Sequence, residues 1–507
     1  MTRTSWTVVF YIAAMALFLR FFDLALKPLH HDEAVNTFFV TKLARPPHAY
    51  EYDPGNYHGP TLFYFAWLSV ALFGTTTEAM RIVTASAGFA LVLTILLLHR
   101  QLGGAGAAAA AAMLAVSSGA VYFSRYFIHE TLFVCFTLGA VVSAVLWWTR
   151  RRPAYLYLAA AAAGAMFATK ETAIISAVVL CAAAIGTAIV IEATAVFRSG
   201  DRTRVPARVA TALTAQARSF LRAFAERHRL RSTMGALVVF AAVALLFYTS
   251  LFTHWQGAAD ALRTFAIWTK TGTSAHTQPW HRYLAWLTAE ELPLLIVGAI
   301  GIGAAIWRST ERFAVFAALW AAGILAAYSL IPYKTPWLTL NAIVPLAVCA
   351  GYALQLLWTH PRVPKAVCWT ILALALGYST YRAAVLSFWQ YDNEATPYVY
   401  AHTSREVLTL VREVEHIEAA HPQTAIAVTS RDQFPLSWYL RAFPAGYYGT
   451  LAAPPTPLVI ASIDQRPELD ARLGSRFDRL GPYRLRPGVL LLLYVRRDLR
   501  QPPKPSS

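Results

Sequence analysis

The chain of 507 residues has few charged side chains. Asp, Glu, Lys and Arg together make up only 14% of it, while hydrophobic residues make up 57%. Soluble domains of ordinary composition carry about 25% charged residues. Acidic residues are scarcest, with 27 Asp and Glu against 44 Lys and Arg. So little charge over such a length excludes an ordinary soluble protein and indicates a membrane protein.

Cysteine is also scarce. The four cysteines, Cys135, Cys181, Cys349 and Cys368, all lie in apolar segments and lack the spacing of a metal or disulfide site, so we expect them to be packing residues. The C-terminal region contains neither a nucleotide-binding loop nor a nucleophile motif. The first apolar segment has no small-residue cleavage site, which favours a retained helix over a signal peptide.

Apolar runs of about twenty residues recur instead, and each is long enough to cross a hydrocarbon core of ~30 Å as a helix. Four short connections are basic, and the long connection 193–233 contains nine Arg. All five fall on one side if the N-terminus is inside, as the positive-inside rule requires. The basic connections are 99–104, 149–153, 193–233, 308–312 and 359–365. The eleven predicted spans are 7–26, 81–98, 105–123, 131–148, 154–169, 172–192, 234–252, 291–307, 313–331, 338–358 and 366–387.

The apolar segment 60–74 is shorter, at about fourteen residues, than a membrane crossing requires. Counting it as a span would place two basic connections outside, against the charge rule. It is therefore predicted to be a juxtamembrane or re-entrant helix inside one long outer loop, 27–80, with a short tilted span as the alternative. Loop 193–233 is either an amphipathic helix on anionic lipid or a solvated loop. The net charge is +17, but the basic residues lie between hydrophobic runs and are interpreted as topology signals. No nucleic-acid partner is therefore predicted.

Ionisable residues are concentrated in the outer connections of this topology. Charges at the ends of membrane helices are costly unless they are paired, hydrated or coordinating a ligand. Carboxylates with histidines suit a divalent cation, and cations from separate helix ends suit a phosphate group. The residues in question are His30, His31, Asp32, Glu33, His58, Arg81, Arg125, His129, Glu130, Lys170, Glu171, His276 and Lys334.

Together these residue types predict an active site for a phosphorylated lipid whose tail lies in the bilayer. An Asp would activate an acceptor hydroxyl, while a metal ion and cations would stabilise the departing phosphate. Ordinary structural roles remain open for the same residues. Asp32 and Glu33 could be the charged start of an amphipathic helix, His58 could be a turn residue, and Arg125 and Lys170 could be interfacial anchors.

Several motifs resemble those of the GT-C membrane glycosyltransferases. The similarity is to the flippase-activity-associated family, which is related to protein O-mannosyltransferases of glycosyltransferase family 39 and to aminoarabinose transferases. It covers residues 1–387 and depends on the order and spacing of short motifs. These are HHDEA, YHGPTLFYF, SRYFIHETLF, ATKETA, HTQPWHRYL and IPYKTPWL. The resemblance implies a GT-C fold with about eleven transmembrane helices.

The resemblance also implies an inverting glycosyltransferase. Its donor would be a polyprenyl-phosphate-linked sugar, and its acceptor a hydroxyl of a lipid, glycan or protein at the outer face. Asp32 would be the catalytic base with Glu33 as its partner. A divalent cation of unknown identity would be held by Asp32, His58, His129 and Glu130. The residues that would bind the substrate are His31, Arg81, Arg125, Lys170, His276 and Lys334.

Two other functions remain open from the sequence. The first is a flippase-associated or transport component for lipid-linked sugars without transferase activity, and the second is a non-catalytic scaffold. A transporter would place ionisable residues near the bilayer midplane, often in internal repeats, whereas here they cluster at one face. The excess of Arg over Lys, 37 against 7, suggests a GC-rich genome and so a bacterial inner membrane, with the active site in the periplasm.

The last 120 residues differ in character from the transmembrane domain, 1–387. Residues 388–507 are predicted to form a small extracytoplasmic α/β domain that either holds the acceptor or caps the site. A helix is predicted at 403–421, capped at Thr403 or Ser404, and the tail QPPKPSS is predicted to be mobile. Further elements are predicted as strands at 424–430, 457–462 and 488–497 and a helix at 431–441.

Overall fold

The computed structural model describes residues 3–46, 50–56, 58–198, 211, 214, 227–274, 276–451 and 454–500. The chain divides into two compact units, and each is described by itself. Unit 1 comprises Met1–Leu24 and Lys42–Trp389, and unit 2 comprises Ala25–Thr41 and Gln390–Ser507. Residues 25–41, which the sequence assigned to the transmembrane domain, therefore group with the C-terminal region. The predicted mobile tail and most of loop 193–233 lie outside the described residues.

Unit 1 is built of helices, and helix α2 runs from unit 2 into it. The helices in chain order are α1 (Arg3–Phe21), α2 (His31–Ala44), α3 (Thr61–Phe73), α4 (Thr77–Leu96), α5 (His99–Leu102), α6 (Gly104–Val116), α7 (Ser118–Ser124), α8 (His129–Arg150), α9 (Pro153–Phe167), α10 (Ala173–Arg198), α11 (Arg227–Tyr248), α12 (Gln256–Ser274), α13 (Arg282–Glu290), α14 (Leu292–Arg308), α15 (Arg312–Leu330), α16 (Leu340–Thr359) and α17 (Lys365–Ala384).

Within the described ranges, seven helices are long and apolar enough to cross a membrane, or nine if each of two bent helix pairs forms one span. Three shorter apolar helices, at 6–21, 61–73 and 153–167, add to these. Each of the eleven predicted spans corresponds to one of these helices or helix pairs. Segment 60–74 forms the 13-residue helix α3, which is the short helix that the sequence predicts. The protein is a multi-pass helical membrane protein.

One predicted span is bent, and another begins at a sharp corner. The span 105–123 breaks at Ser117, where α6 and α7 meet at 56°, because the Ser117 hydroxyl caps α7 by accepting a hydrogen bond from the Ala120 amide at 3.2 Å. The span 291–307 follows a corner of 115° between α13 and α14. The first span also ends early, since α1 stops at Phe21 and Asp23 has a φ of 45°.

Buried polar side chains satisfy the backbone groups that the α6–α7 break leaves open. Arg20 donates to the carbonyls of Leu114 and Ala115 at the end of α6, at 3.1 and 2.8 Å. Glu291, at the α13–α14 corner, accepts from the Gly119 amide at 2.6 Å and from the Ser117 hydroxyl at 2.8 Å. These contacts satisfy carbonyl groups at the end of one helix and an amide at the start of the next, which have no partner within their own helices. The break is thus fixed by side chains from distant helices.

Unit 2 contains a mixed five-stranded sheet in the order β2-β1-β3-β5-β4. Strands β1, β2 and β3 are parallel, and β5 is antiparallel to both β3 and β4. Helix α18 covers one face with apolar side chains, and α20 covers the other. Its elements are α18 (Val407–Ala420), β1 (Ile426–Val428), α19 (Leu436–Tyr439), β2 (Ala445–Tyr447), β3 (Leu458–Ser462), α20 (Arg466–Leu473), β4 (Phe477–Arg486) and β5 (Val489–Arg496).

The predicted small α/β fold of the C-terminal region is confirmed, with differences in detail. The three predicted strands are β1, β3 and β5, but β2 and β4 were not predicted. Strand β4 contains the pair Gly481 and Pro482, which is typical of a turn, and Pro is tolerated here because β4 lies at the sheet edge. The predicted cap at Thr403 or Ser404 is wrong, since α18 begins at Val407 after Glu406. The predicted helix 431–441 is shortened to α19.

Candidate active site

A histidine and a buried glutamate join two connections of unit 1. His58 precedes α3, and Glu171 lies between α9 and α10; His58 Nδ1 and a Glu171 carboxylate oxygen are 3.0 Å apart. The two stretches run side by side, with the Gly59 amide donating to the Thr169 carbonyl at 3.0 Å. A Cβ on Gly59 would lie only 2.1 Å from the Ala168 carbonyl oxygen. Glycine is therefore required for His58 to reach Glu171.

A second pair lies beside the first. Glu130, in the first turn of α8, forms an ion pair with Lys170, and its other carboxylate oxygen accepts a hydrogen bond from the Asn341 side-chain amide at the start of α16. The Glu130 side chain is fully buried and that of Lys170 is 6% exposed. Both carboxylate oxygens of Glu130 thus have a partner within the fold.

Electrostatics favour a charged Glu171. Burial raises the pKa of the Glu171 carboxyl, but the His58 imidazole and the Lys170 ammonium lower it by more. The net effect is a pKa below the ordinary value. Although Lys170 and Glu171 are adjacent in sequence, they contact different residues: Lys170 pairs with Glu130, and Glu171 contacts His58. We call these four residues together with Asn341 the charge network.

The predicted metal ligands fall into both units. His129 packs against His58, with ring centroids 4.8 Å apart, and both lie beside Glu130 in unit 1, whereas Asp32 belongs to unit 2. Among the residues that the structure describes, no three or more His, Cys, Asp or Glu are grouped so as to hold a metal ion. His58 instead contacts Glu171, and Glu130 pairs with Lys170. The divalent cation stays a prediction.

Two predicted phosphate ligands contact the end of α1. Arg125 donates to the carbonyls of Phe22 and Asp23 at 2.5 and 2.6 Å, and its guanidinium lies 4.6 Å from the centroid of the Phe388 ring. Arg81 donates to the Leu24 carbonyl at 2.7 Å. Burial lowers the pKa of Arg125 to about 10, an effect that the nearby Arg81 increases and Asp23 opposes. Both arginines satisfy backbone carbonyls of the stretch that follows α1, and substrate binding by them stays a prediction.

Two further predicted substrate ligands of unit 1, His276 and Lys334, lie together. The chain at His276–Gln278 pairs with that at Pro332–Lys334, since the Lys334 amide donates to the His276 carbonyl at 3.1 Å and Thr277 bridges Tyr333. The Lys334 ammonium donates to the Ile331 carbonyl and lies 5.8 Å from the Tyr283 ring centroid. Burial lowers the pKa of Lys334, as expected for a cation held away from water. The structure brings these two loops together, although they are far apart in sequence.

The two acidic residues of HHDEA differ in exposure. Glu33 is fully buried, and its carboxylate accepts a hydrogen bond from the His30 amide at 2.9 Å, which caps the start of α2. The Asp32 side chain is 44% exposed and lies 3.8 Å from His30 Nδ1. The Asp32 amide donates to that same nitrogen at 3.1 Å. Asp32 is therefore an accessible carboxylate on a fixed backbone, while Glu33 has a structural role as a helix cap.

His31, also a predicted substrate ligand, is bound by the C-terminal part of unit 2. Its Nδ1 accepts a hydrogen bond from Arg486 at 3.1 Å, and its ring packs edge-on against Phe434 at 5.4 Å. Arg486 also forms an ion pair with Asp432. Burial lowers the pKa of His31; Asp32 opposes that effect and Arg486 adds to it.

Two residues of the charge network were not predicted as site residues. Glu171 was noted in the sequence but given no role, and Asn341 was not singled out. The signal for Asn341 was available, because a lone Asn at the start of an apolar run is costly in a membrane unless it is bonded. The signal for Glu171 was its position next to Lys170. That Asp32 acts on the same substrate as the residues of unit 1 stays a prediction.

Comparisons with known proteins agree with this architecture. The family model for dolichyl-phosphate-mannose-protein mannosyltransferase matches residues 57–196, a range that includes His58, Glu130, Lys170 and Glu171. No curated protein matches the sequence.

Solved structures match over nearly the whole length. The crystal structure of ArnT from Cupriavidus metallidurans in the apo state has a TM-score of 0.64 and 14% identity, covering 98% of this chain and 99% of that chain. The crystal structure of ArnT bound to undecaprenyl phosphate has a TM-score of 0.59 and 14% identity, covering 97% of this chain and 98% of that chain. The apo oligosaccharyltransferase of Archaeoglobus fulgidus has a TM-score of 0.53 and 16% identity, covering 86% of this chain and 63% of that chain.

The fold is that of the GT-C membrane glycosyltransferases. The predicted GT-C fold is thus confirmed, as is the predicted arrangement of a helical membrane part with a small C-terminal sheet domain. Within it, the segment that matches the mannosyltransferase model is the one that contains the charge network.

Proposed function

We propose that this protein transfers a sugar from a polyprenyl-phosphate-linked donor to an acceptor hydroxyl at the outer, periplasmic face of a bacterial inner membrane. The observation that carries the proposal is the charge network, in which buried charged groups are kept at the ends of membrane helices. Burying charge is costly, so such clusters mark functional sites more often than structural ones. The undecaprenyl phosphate bound to ArnT supports the lipid class of the donor.

The chemistry proposed is a single displacement with inversion. Asp32, whose carboxylate is 44% exposed, takes the proton of the acceptor hydroxyl as its oxygen attacks the anomeric carbon. The bond from that carbon to the phosphate oxygen breaks, and polyprenyl phosphate leaves with the bonding electrons. Cationic side chains such as Lys334 stabilise the departing phosphate.

The position of the network favours an enzyme over a transporter. Glu130 and Asn341 are the second residues of their helices, and Lys170 and Glu171 lie in a connection between helices. A transporter would be expected to place such groups near the bilayer midplane.

A transfer assay with the full chain in lipid nanodiscs tests the proposal. The donors are undecaprenyl-phosphate mannose and undecaprenyl-phosphate arabinose with labelled sugars, and host membranes supply acceptors. We expect time-dependent transfer of label, and Asp32→Asn should reduce it by about 10²–10⁴-fold, the range for loss of a general base. Its melting temperature should be unchanged, since the Asp32 side chain is half exposed. Reactions with and without EDTA test the predicted divalent cation separately.

The matched control is Asp464→Asn, which neutralises another exposed Asp of unit 2 and should leave transfer within about twofold, as expected for a surface substitution. Normal turnover by Asp32→Asn would refute the assignment of the base. An absence of transfer from every polyprenyl-phosphate donor by the folded wild-type protein would refute the proposed function.

A further inference from the structure

The acidic segment HHDEA is held by the C-terminal region of unit 2. Three consecutive residues each bind a part of the chain that lies some 400 positions further on. The Leu29 amide donates to the Tyr439 hydroxyl at 2.9 Å, His30 Nε2 lies 3.1 Å from the Tyr400 carbonyl oxygen, and His31 Nδ1 accepts from Arg486. The next residue is Asp32.

These contacts restrain the backbone directly before Asp32. His30 is fixed at both ring nitrogens, since Nδ1 accepts from the Asp32 amide while Nε2 faces the Tyr400 carbonyl. His30 also packs against the His402 ring, with centroids 5.6 Å apart. An imidazole bonded at both nitrogens has a fixed ring orientation. The position of the Asp32 backbone thus depends on residues 400–402.

Arg486 connects His31 to the sheet. It is the last residue of β4, and its guanidinium contacts two groups at once, His31 Nδ1 through Nη1 and the Asp432 carboxylate through Nη2. A planar guanidinium has the geometry for two such contacts, whereas an ammonium acts as a single point charge. Asp432 lies in the turn after β1, close to Phe434, which packs on the His31 ring. Arg486 and Asp432 therefore hold the segment to two strands of the sheet.

We infer that Arg486 is a positioning residue for Asp32, so that the C-terminal α/β unit sets the geometry of the carboxylate rather than serving only as a cover or an acceptor holder. The inference rests on the proposed function for its consequence in catalysis. Catalytic groups need placement to a fraction of an ångström, and an error of about 1 Å costs roughly 10²-fold in rate. Loss of Arg486 should therefore lower kcat while leaving donor binding unchanged.

The test uses the full chain in nanodiscs with whichever undecaprenyl-phosphate donor the wild type turns over. Arg486→Gln should reduce kcat by roughly 10-fold or more, with the KM for the donor within about twofold. Arg486→Lys keeps a charge beside Asp432 but cannot make both contacts, so it should recover only part of the rate. The matched control is Arg479→Gln. Arg479 lies on β4, as Arg486 does, and pairs with Asp470 of α20. Loss of this ion pair should change kcat by less than about twofold.

A double-mutant cycle distinguishes positioning from general destabilisation. In the Asp32→Asn background, Arg486→Gln should cause no further loss, because a positioning residue acts only through the group that it positions. Hydrogen exchange provides a readout without activity: Arg486→Gln should raise exchange of the amides at 29–36, with β5 unchanged. Arg479→Gln should leave the 29–36 amides protected.

The outcomes separate the two proposals. If Asp32→Asn is inactive but Arg486→Gln behaves like Arg479→Gln in kcat and exchange, the positioning role is refuted and the proposed function stands. If Arg486→Gln is additive with Asp32→Asn, its effect is general and the positioning role is again refuted. If Asp32→Asn turns over normally, the proposed function fails, and exchange at 29–36 still decides whether Arg486 anchors the segment.

Discussion

The acidic groups of the two units differ in what surrounds them. In unit 1, Glu130 and Glu171 are buried, and each faces a basic side chain within ion-pair distance. In unit 2, the Asp32 side chain is 44% exposed on a restrained backbone. A carboxylate with both oxygens occupied, as in Glu130, must break a contact before it accepts a proton. An accessible carboxylate can accept one directly, as the proposed function requires of Asp32.

The same difference is repeated between sequence neighbours. The Lys170 and Glu171 side chains contact different partners. In the pair Asp32 and Glu33, the Asp32 side chain is accessible, while the Glu33 side chain caps a helix. Asp32 and Glu33 lie in the first turn of α2, where successive positions are about 100° apart, whereas Lys170 and Glu171 lie in a connection between helices. A cluster of charges in sequence is therefore not one functional unit in space.

The largest effect on stability that this comparison predicts comes from removing Lys170. Lys170→Met leaves Glu130 buried without its cation, which costs about 3–5 kcal/mol when a buried pair is broken from one side. We expect a large fall in melting temperature, whereas Asp32→Asn should leave it unchanged. Thermal unfolding in the same detergent, followed by circular dichroism, measures both.

Two further variants control this prediction. The double variant Lys170→Met with Glu130→Gln removes the uncompensated charge and should recover part of the loss. Arg472→Gln breaks the exposed Arg472–Glu468 pair, whose side chains are 41% and 63% exposed, and should cost less than about 1 kcal/mol. If Lys170→Met is no worse than Arg472→Gln, the network is not a buried framework, and the contrast between the two units is lost.

A smaller effect is expected from Gly59. Gly59→Ala introduces a Cβ that would lie 2.1 Å from the Ala168 carbonyl oxygen, so the two backbone segments 58–61 and 168–171 must move apart. Overpacking of this kind costs about 1–3 kcal/mol, and the His58–Glu171 contact should weaken with it. The melting temperature and the rate of sugar transfer should both fall.

The matched control is Gly377→Ala in α17, where nothing lies within 4 Å of the added Cβ. Alanine favours a helix over glycine by up to about 1 kcal/mol, so this variant should be neutral or slightly more stable. Equal behaviour of the two variants would show that the close approach at Gly59 is not needed for the network.

The membrane helices could be predicted from hydropathy and charge, but their bends could not. Each predicted span corresponds to a helix or bent pair, because burial in lipid requires long apolar runs with satisfied backbone groups. The break at Ser117 is held by Arg20 and Glu291 from distant helices, and no local pattern encodes such partners. Strand β4 was missed because its Gly-Pro pair and charges are typical of a turn, although they are also tolerated at a sheet edge.

The residue types of the candidate site could be predicted, but their pairing could not. Charge at the ends of membrane helices singled out His58, Glu130 and Lys170. The partner of His58 lies 113 positions away, so no sequence spacing identifies it. The same limit explains Arg125, which was predicted from its charge to bind phosphate and which binds carbonyls at the end of α1. A cation near a membrane surface has both uses, and only the fold shows which groups lie within reach.

The smallest expected effect is the pH dependence that Glu171 confers. Its folded-state pKa lies below the ordinary value of 4.5, so its contribution to stability is fully present above pH 4.5 and is lost as the pH falls through the lower folded-state pKa. Glu171→Gln should therefore be less stable than the wild type at pH 7, and the difference should shrink below pH 4.5. Melting temperatures between pH 7 and pH 3.5 measure it. Glu415→Gln, at an exposed position of α18, should show a pH-independent difference near zero. A constant gap between Glu171→Gln and the wild type across this range would mean that His58 and Lys170 do not hold Glu171 in its charged form.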